Sequence, residues 1–179
     1  MKVLIIGGSK SGKSILGQDI SKQLENTNGE LYYLATMEPH DKEDLNRIKN
    51  HLKDREGYGF KTIEEPLNME KVAKLVDKED TILLDSITSL VTNSMFKGKD
   101  FYDSVKANIV EGIKAIYERA ENVIIVSDYV FSDGIVYDFY TEAFRRELGN
   151  INRALAEASD VVIECSYGNI IYHKGKEML

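Results

Sequence analysis

Residues 7–14 read Gly7-Gly8-Ser9-Lys10-Ser11-Gly12-Lys13-Ser14, the spacing Gly-x-x-x-x-Gly-Lys-Ser/Thr. Glycines at these positions let the backbone turn tightly, so that successive amide N–H groups point into one anion-sized hollow, aided by the positive end of a following helix. Lys13 is the cation that would reach the β- and γ-phosphates of a nucleoside triphosphate, and Ser14 would offer its hydroxyl to Mg²⁺. A glycine-rich turn without a ligand is the competing reading. The apolar run Val3-Leu4-Ile5-Ile6 before the motif and the helical pattern after it supply the strand and helix that phosphate binding requires.

A carboxylate that supports the metal belongs at the end of another central strand. Asp85 follows Ile82-Leu83-Leu84, and Asp128 follows Val123-Ile124-Ile125-Val126-Ser127. Asp85 is preferred, because Ser86-Ile87-Thr88 reads as polar loop at a strand's carboxyl end, where ligands gather in open α/β sheets. Either aspartate could instead cap a helix or close a turn.

Among the histidines, His51 has the most chemical setting. Arg47, His51 and Arg55 recur every fourth residue beside an apolar stripe of Leu45, Ile48 and Leu52, so they share one helix face. Two guanidiniums bias an imidazole toward its neutral form and attract phosphate, which makes it a competent nucleophile toward a nucleotidyl group. Spacing alone favours a solvated charged face. His40 in a loop after Pro39, and His173 beside Lys174, have no comparable setting.

The elements that must hold these residues follow from apolar periodicity. Short β-branched runs at Lys2–Gly7, Leu31–Thr36, Thr81–Asp85, Asn122–Asp128 and Asp160–Cys165 predict strands, with a further short strand at Asn169–His173. Helical patterns cover Gly12–Leu24, Lys42–Asp54, Met69–Val76, Phe101–Arg119 and Phe139–Ala158. Such alternation predicts an α/β fold, a mainly parallel sheet covered by helices, and a single nucleotide-binding domain over residues 1–179.

Composition narrows the function classes. A net charge of -7 sets the overall field against nucleic acid, and no basic patch offsets it. No apolar stretch approaches the ~20 residues of a membrane span, and Met1-Lys2 opens directly into a strand pattern, so the expected compartment is the cytoplasm. The single cysteine, Cys165, excludes an internal disulfide and sits in a strand pattern that suits an inert thiol.

Beyond the phosphate motif, an ordered series of segments resembles the bifunctional adenosylcobinamide kinase / adenosylcobinamide-phosphate guanylyltransferase family of cobalamin biosynthesis. The series comprises Tyr33-Leu34-Ala35-Thr36, Arg47-Ile48-x-x-His51-x-x-x-Arg55, Thr62-Ile63-Glu64-Glu65-Pro66-Leu67 and Leu84-Asp85-Ser86-Ile87-Thr88 with Val91-Thr92-Asn93. It ends in Gly134-Ile135-Val136, Phe144-Arg145 and Gly149-x-x-Asn152-x-x-Leu155-Ala156. The resemblance implies a three-layer, RecA-like P-loop NTPase fold, usually a homotrimer, acting with Mg²⁺ on ATP or GTP and a corrinoid. It implies phosphorylation of adenosylcobinamide, then transfer of GMP from GTP through a guanylylated histidine, here His51. By the same resemblance Ala35, Thr36, Met37, Lys53, Asp54, Arg55 and Glu56 line the nucleotide site, while Glu64 and Asp85 serve the guanine or the metal. The chain departs from the family where Ser127-Asp128-Tyr129-Val130-Phe131 replaces the common Ser/Thr-Asn-Glu-Val-Gly, and where Tyr137 replaces a proline. Without the corrinoid part of the resemblance, the same residues suit a kinase of another small alcohol or a nucleotide-dependent regulatory protein.

Overall fold

A computed structural model describes residues 1–39, 49, 52–53, 55–130 and 134–179. Its frame is a seven-stranded sheet built from β1 (Lys2–Gly7), β2 (Leu31–Ala35), β3 (Lys61–Glu64), β4 (Thr81–Asp85), β7 (Asn122–Asp128), β8 (Val161–Ser166) and β9 (Asn169–Lys174). The spatial order is β3-β2-β4-β7-β1-β8-β9, parallel throughout except where β9 returns antiparallel along β8.

The strands read as continuous apolar runs because both faces of the sheet are covered. Side chains alternate across a strand, so Leu4, Leu34, Ile82, Leu84, Val123 and Ile125 enter one core while Val3, Ile5, Tyr33, Leu83, Ile124 and Val126 enter the other. Helix α1 (Lys13–Gln23) contributes Ile20 to the second core. The first core is closed by α2 (Met69–Ala73), α3 (Ile87–Met95), α4 (Lys106–Arg119) and α5 (Phe139–Ala158). The result is the three-layer α/β architecture expected from the sequence. No helix among the described residues is long and apolar enough to cross a membrane.

Three elements differ from the sequence expectation. Ser86-Ile87-Thr88 is not loop: Ser86 is the N-cap of α3, its hydroxyl accepting from the Ser89 amide at 3.3 Å, and Ile87, Leu90 and Val91 bury the helix. The helix expected from Phe101 begins at Lys106, because β5 (Phe96–Lys97) and β6 (Asp100–Phe101) first form a small hairpin. The start of α4 is fixed from outside: the buried Glu147 of α5 accepts from the amides of Val105 at 2.9 Å and Lys106 at 3.0 Å. Strand β3 has no apolar signal, since it is an edge strand with one apolar residue and mostly exposed side chains. The helix expected over Lys42–Asp54 lies largely outside the described residues; Lys49, Leu52 and Lys53, which are described, are helical.

Candidate active site

Strand β1 lies where the connectivity divides: the chain leaves it for β2, beyond β7 and β4, and later crosses from β7 to β8 on its other side. The loop after β1 therefore opens at a switch point of the sheet, where ligands bind in such folds. This loop is Gly8 to Gly12, leading into α1 at Lys13. Two glycines are dictated by geometry. A Cβ on Gly7 would stand 2.5 Å from Ser11 Oγ and 2.7 Å from the Cys165 carbonyl oxygen, and Gly12 caps α1 at φ +91. The Ser11 hydroxyl is buried without a hydrogen-bond partner among the described residues, so the hollow holds an unmet polar group.

Lys13 is 9% exposed, and its ammonium donates to the Gly8 carbonyl at 3.0 Å and pairs with Asp128 Oδ1 at 2.6 Å. Asp128 can reach it because β7 is the neighbour of β1, in a register that sets Gly7 opposite Asp128. Its backbone is held from two sides, the amide donating to Thr88 Oγ1 at 3.1 Å and the carbonyl accepting from Asn152 Nδ2 at 3.0 Å. Asn152, itself nearly buried, also accepts from the Ser127 hydroxyl at 2.6 Å, which locks α5 to the end of β7.

Asp85 ends β4, one strand farther from the cradle and level with Val126 of β7. It accepts from the Tyr33 hydroxyl at 3.0 Å. Arg55 lies 3.6 Å over the Tyr33 ring, is 8% exposed, and has one guanidinium nitrogen, Nη1, buried without a hydrogen-bond partner among the described residues. It is therefore a buried cation beside the ends of β2 and β4, and the solvated-face alternative does not describe it. Thr36 joins those two ends: its hydroxyl donates to the Ser86 carbonyl at 2.7 Å and accepts from the Ser86 amide at 2.9 Å, while Asn93 donates to the Thr36 carbonyl at 2.7 Å.

Of the remaining sequence candidates, Ala35 lies opposite both Glu64 and Asp85 at the strand ends, and Met37 is half-buried after them. Glu64, Lys53 and Glu56 are exposed. His51, Arg47 and Asp54 lie outside the described residues, as does His40. Burial pushes the Cys165 thiol above its usual pKa, with Lys13 opposing and Glu164 adding to the rise, which suits an inert side chain. Sequence reasoning ranks Asp128 below Asp85 because Ser86-Ile87-Thr88 reads as polar loop, whereas that segment begins a helix and the strand register brings Asp128 to Lys13. Tyr33 is visible in the sequence only within the segment Tyr33-Leu34-Ala35-Thr36, and nothing there marks its hydroxyl as the partner of Asp85.

The family model for cobinamide kinase / cobinamide phosphate guanyltransferase matches residues 3–171. The chain belongs to this family. Among curated relatives of the cobinamide kinase / guanyltransferase family, a protein of Escherichia coli strain K12 called bifunctional adenosylcobalamin biosynthesis protein CobU is 26% identical over 174 residues, 90% of this chain and 93% of the relative. Its counterpart from Salmonella typhimurium strain LT2, of the same name, is 27% identical over the same shares. Among solved structures, an ATPase domain superposes with a TM-score of 0.55 at 12% identity, covering 98% of this chain and 77% of that one. That likeness shows the P-loop NTPase fold.

Proposed function

We propose that the chain catalyses two successive transfers onto one corrinoid acceptor. The first moves the γ-phosphoryl group of ATP or GTP to the hydroxyl of adenosylcobinamide. The second moves GMP from GTP to the resulting phosphate, by way of a guanylylated His51, and yields adenosylcobinamide-GDP. The observation that carries this reading is the pairing of the family match over residues 3–171 with a formed phosphate cradle whose lysine is already in place.

The cradle amides and Lys13 neutralise charge that develops on the transferred and leaving phosphates. The donor set suits Mg²⁺. It offers hard oxygens at Ser14 and Asp85. This matches an ion that keeps waters and takes its other oxygens from substrate phosphates. Ser14 and Asp85 would hold the ion, which would supply positive charge against the substrate phosphates. Arg55 offers its open nitrogen to the nucleotide, and family likeness assigns Ala35, Thr36, Met37, Lys53, Glu56 and Glu64 to the same nucleotide, together with Asp54, which lies outside the described residues. A neutral His51 would divide a difficult displacement into two easier ones. By family likeness the working unit is a homotrimer.

The test uses wild type and His51→Ala with α-labelled or γ-labelled GTP, Mg²⁺ and adenosylcobinamide. Wild type is expected to form phosphorylated and guanylylated corrinoid and to carry acid-labile α-label. His51→Ala should lose that label and the second product. Retention of α-label by His51→Ala excludes His51 as sole acceptor, and the absence of any corrinoid product from wild type overturns the reading.

A further inference from the structure

Beside the cradle, a recess of about 100 Å³ opens between the end of β7 and one face of α5. Asp128, Tyr129 and Val130 form one wall, and Arg145, Gly149 and Asn152 the other. Arg145, Gly149 and Asn152 follow the i, i+4, i+7 spacing of a single helix stripe. The recess joins the cradle directly. Asp128 contacts Lys13 at 2.6 Å, and a Cβ built on Gly8 would meet the Tyr129 ring at 3.8 Å.

Gly149 is the informative wall residue. Glycine weakens a helix interior, and here no close approach requires it: a Cβ would meet nothing within 4 Å among the described residues. Gly149 is exposed and lines the recess, so the absence of its side chain leaves that rim open. The volume is well below the ~300–1,000 Å³ of whole small-molecule sites, so it admits a short arm and excludes a macrocycle or nucleoside.

Charge decides which arm. Once a triphosphate occupies the cradle, Lys13 turns to its β- and γ-oxygens. Released from Lys13, the Asp128 carboxylate stands between the cradle and the recess as a hydrogen-bond acceptor in need of a donor. An acceptor O–H supplies it, because its hydrogen donates to the carboxylate while its oxygen faces phosphorus. We propose that the recess receives the hydroxyl-bearing arm of the acceptor and that Asp128 is the catalytic residue that orients this hydroxyl and takes its proton. In the step, the acceptor oxygen forms a bond to the γ-phosphorus and the bond from that phosphorus to the β,γ-bridging oxygen breaks. The nucleoside diphosphate leaves with the bond's electron pair, and the hydroxyl proton ends on Asp128. Asn152 is a positioning residue, since it holds the Asp128 carbonyl and Ser127. This inference rests on the proposed kinase activity.

The test compares whole-chain wild type, Asp128→Asn, and the series Gly149→Ala, Gly149→Val and Gly149→Leu. It measures phosphoryl transfer to adenosylcobinamide, guanylyl transfer to separately prepared adenosylcobinamide phosphate, MgGTP affinity and melting temperature. Asp128→Asn is expected to lower kcat for phosphoryl transfer by about 100-fold or more relative to guanylyl transfer, because a phosphate acceptor is already ionised. Its MgGTP Kd should not rise. In the Gly149 series the acceptor KM should climb with side-chain size, reaching about tenfold or more at leucine. The inference is overturned by Asp128→Asn transferring phosphate within threefold of wild type, or by a tenfold weaker MgGTP Kd, which would make Asp128 a metal or nucleotide ligand. A KM that stays flat across those Gly149 variants that melt cooperatively also overturns it. Wild type that phosphorylates no corrinoid removes the proposed function itself, whereas active wild type with wild-type-like variants removes the inference alone.

Discussion

The cradle lysine is paired with a carboxylate of the neighbouring strand, and this sets a measurable competition with nucleotide. Lys13 and Asp128 meet at 2.6 Å with side chains 11% and 23% exposed. Two unit charges about 4 Å apart interact by ~4 kcal/mol at an effective dielectric of ~20. Desolvation and the partial exposure of Asp128 offset much of this, and net values for hydrogen bonds to charged groups run at ~1.5–3 kcal/mol. We take about 2 kcal/mol for the pair, which a triphosphate must displace. At ~1.4 kcal/mol per tenfold, Asp128→Asn should therefore tighten MgGTP or a non-hydrolysable analogue by about 10–30-fold. The same substitution leaves Lys13 without its carboxylate, so the nucleotide-free protein should lose about 1–3 kcal/mol of stability. Isothermal titration of wild type, Asp128→Asn, Lys13→Met and the double variant gives the full cycle. In the Lys13→Met background, Asp128→Asn should leave Kd nearly unchanged, since no pair remains to break. An Asp128→Asn protein that binds nucleotide more weakly than wild type would refute the competition.

Other perturbations follow from individual contacts. Gly7→Ala would push a methyl group against Ser11 Oγ and the Cys165 carbonyl, so denaturant melts should show a loss of about 1–3 kcal/mol, with nucleotide affinity falling too. Tyr33→Phe removes the donor to Asp85 but keeps the ring beneath Arg55; chemical denaturation should register a loss of about 1 kcal/mol, and Tyr33→Leu a larger one. Burial pushes the Glu65 carboxyl up, but the Lys71 ammonium and the amides of Asn68 and Leu67 more than offset it, leaving its pKa below the usual 4.5. Its contribution to stability is then complete above about pH 4.5 and lost as pH falls through the lowered folded value, so Glu65→Gln should flatten the acid limb of a stability-versus-pH curve.

The central strands are legible because burial on both faces leaves no polar interruption. Lys2–Gly7, Thr81–Asp85 and Asn122–Asp128 begin and end where their apolar runs do. Strand β3 is not, because an edge strand half in water needs only Ile63. The start of α3 is hidden by its polar cap. Ser86 and Thr88 look like loop, although Ile87, Leu90, Val91 and Met95 already carry a helical stripe. The start of α4 depends on Glu147, far along the chain in α5, and no local pattern reveals that. The cradle is readable in full, since its motif is a contiguous backbone device. The rest of the site is readable only as a set of residues. Which carboxylate meets Lys13 depends on β7, not β4, lying beside β1.

Arg55 carries a consequence for binding kinetics. A long cationic side chain on a surface must give up its rotamers and its water when a ligand arrives, and ordering it costs ~0.5–1.5 kcal/mol. Here the guanidinium is already stacked on Tyr33 and shielded from solvent, with Nη1 open among the described residues. That entropy is lost once, as the chain folds, and not again at each encounter. A partner that bonds to this nitrogen docks onto a rigid, dry donor, so the contact should appear chiefly as a slower departure of the ligand and a favourable enthalpy.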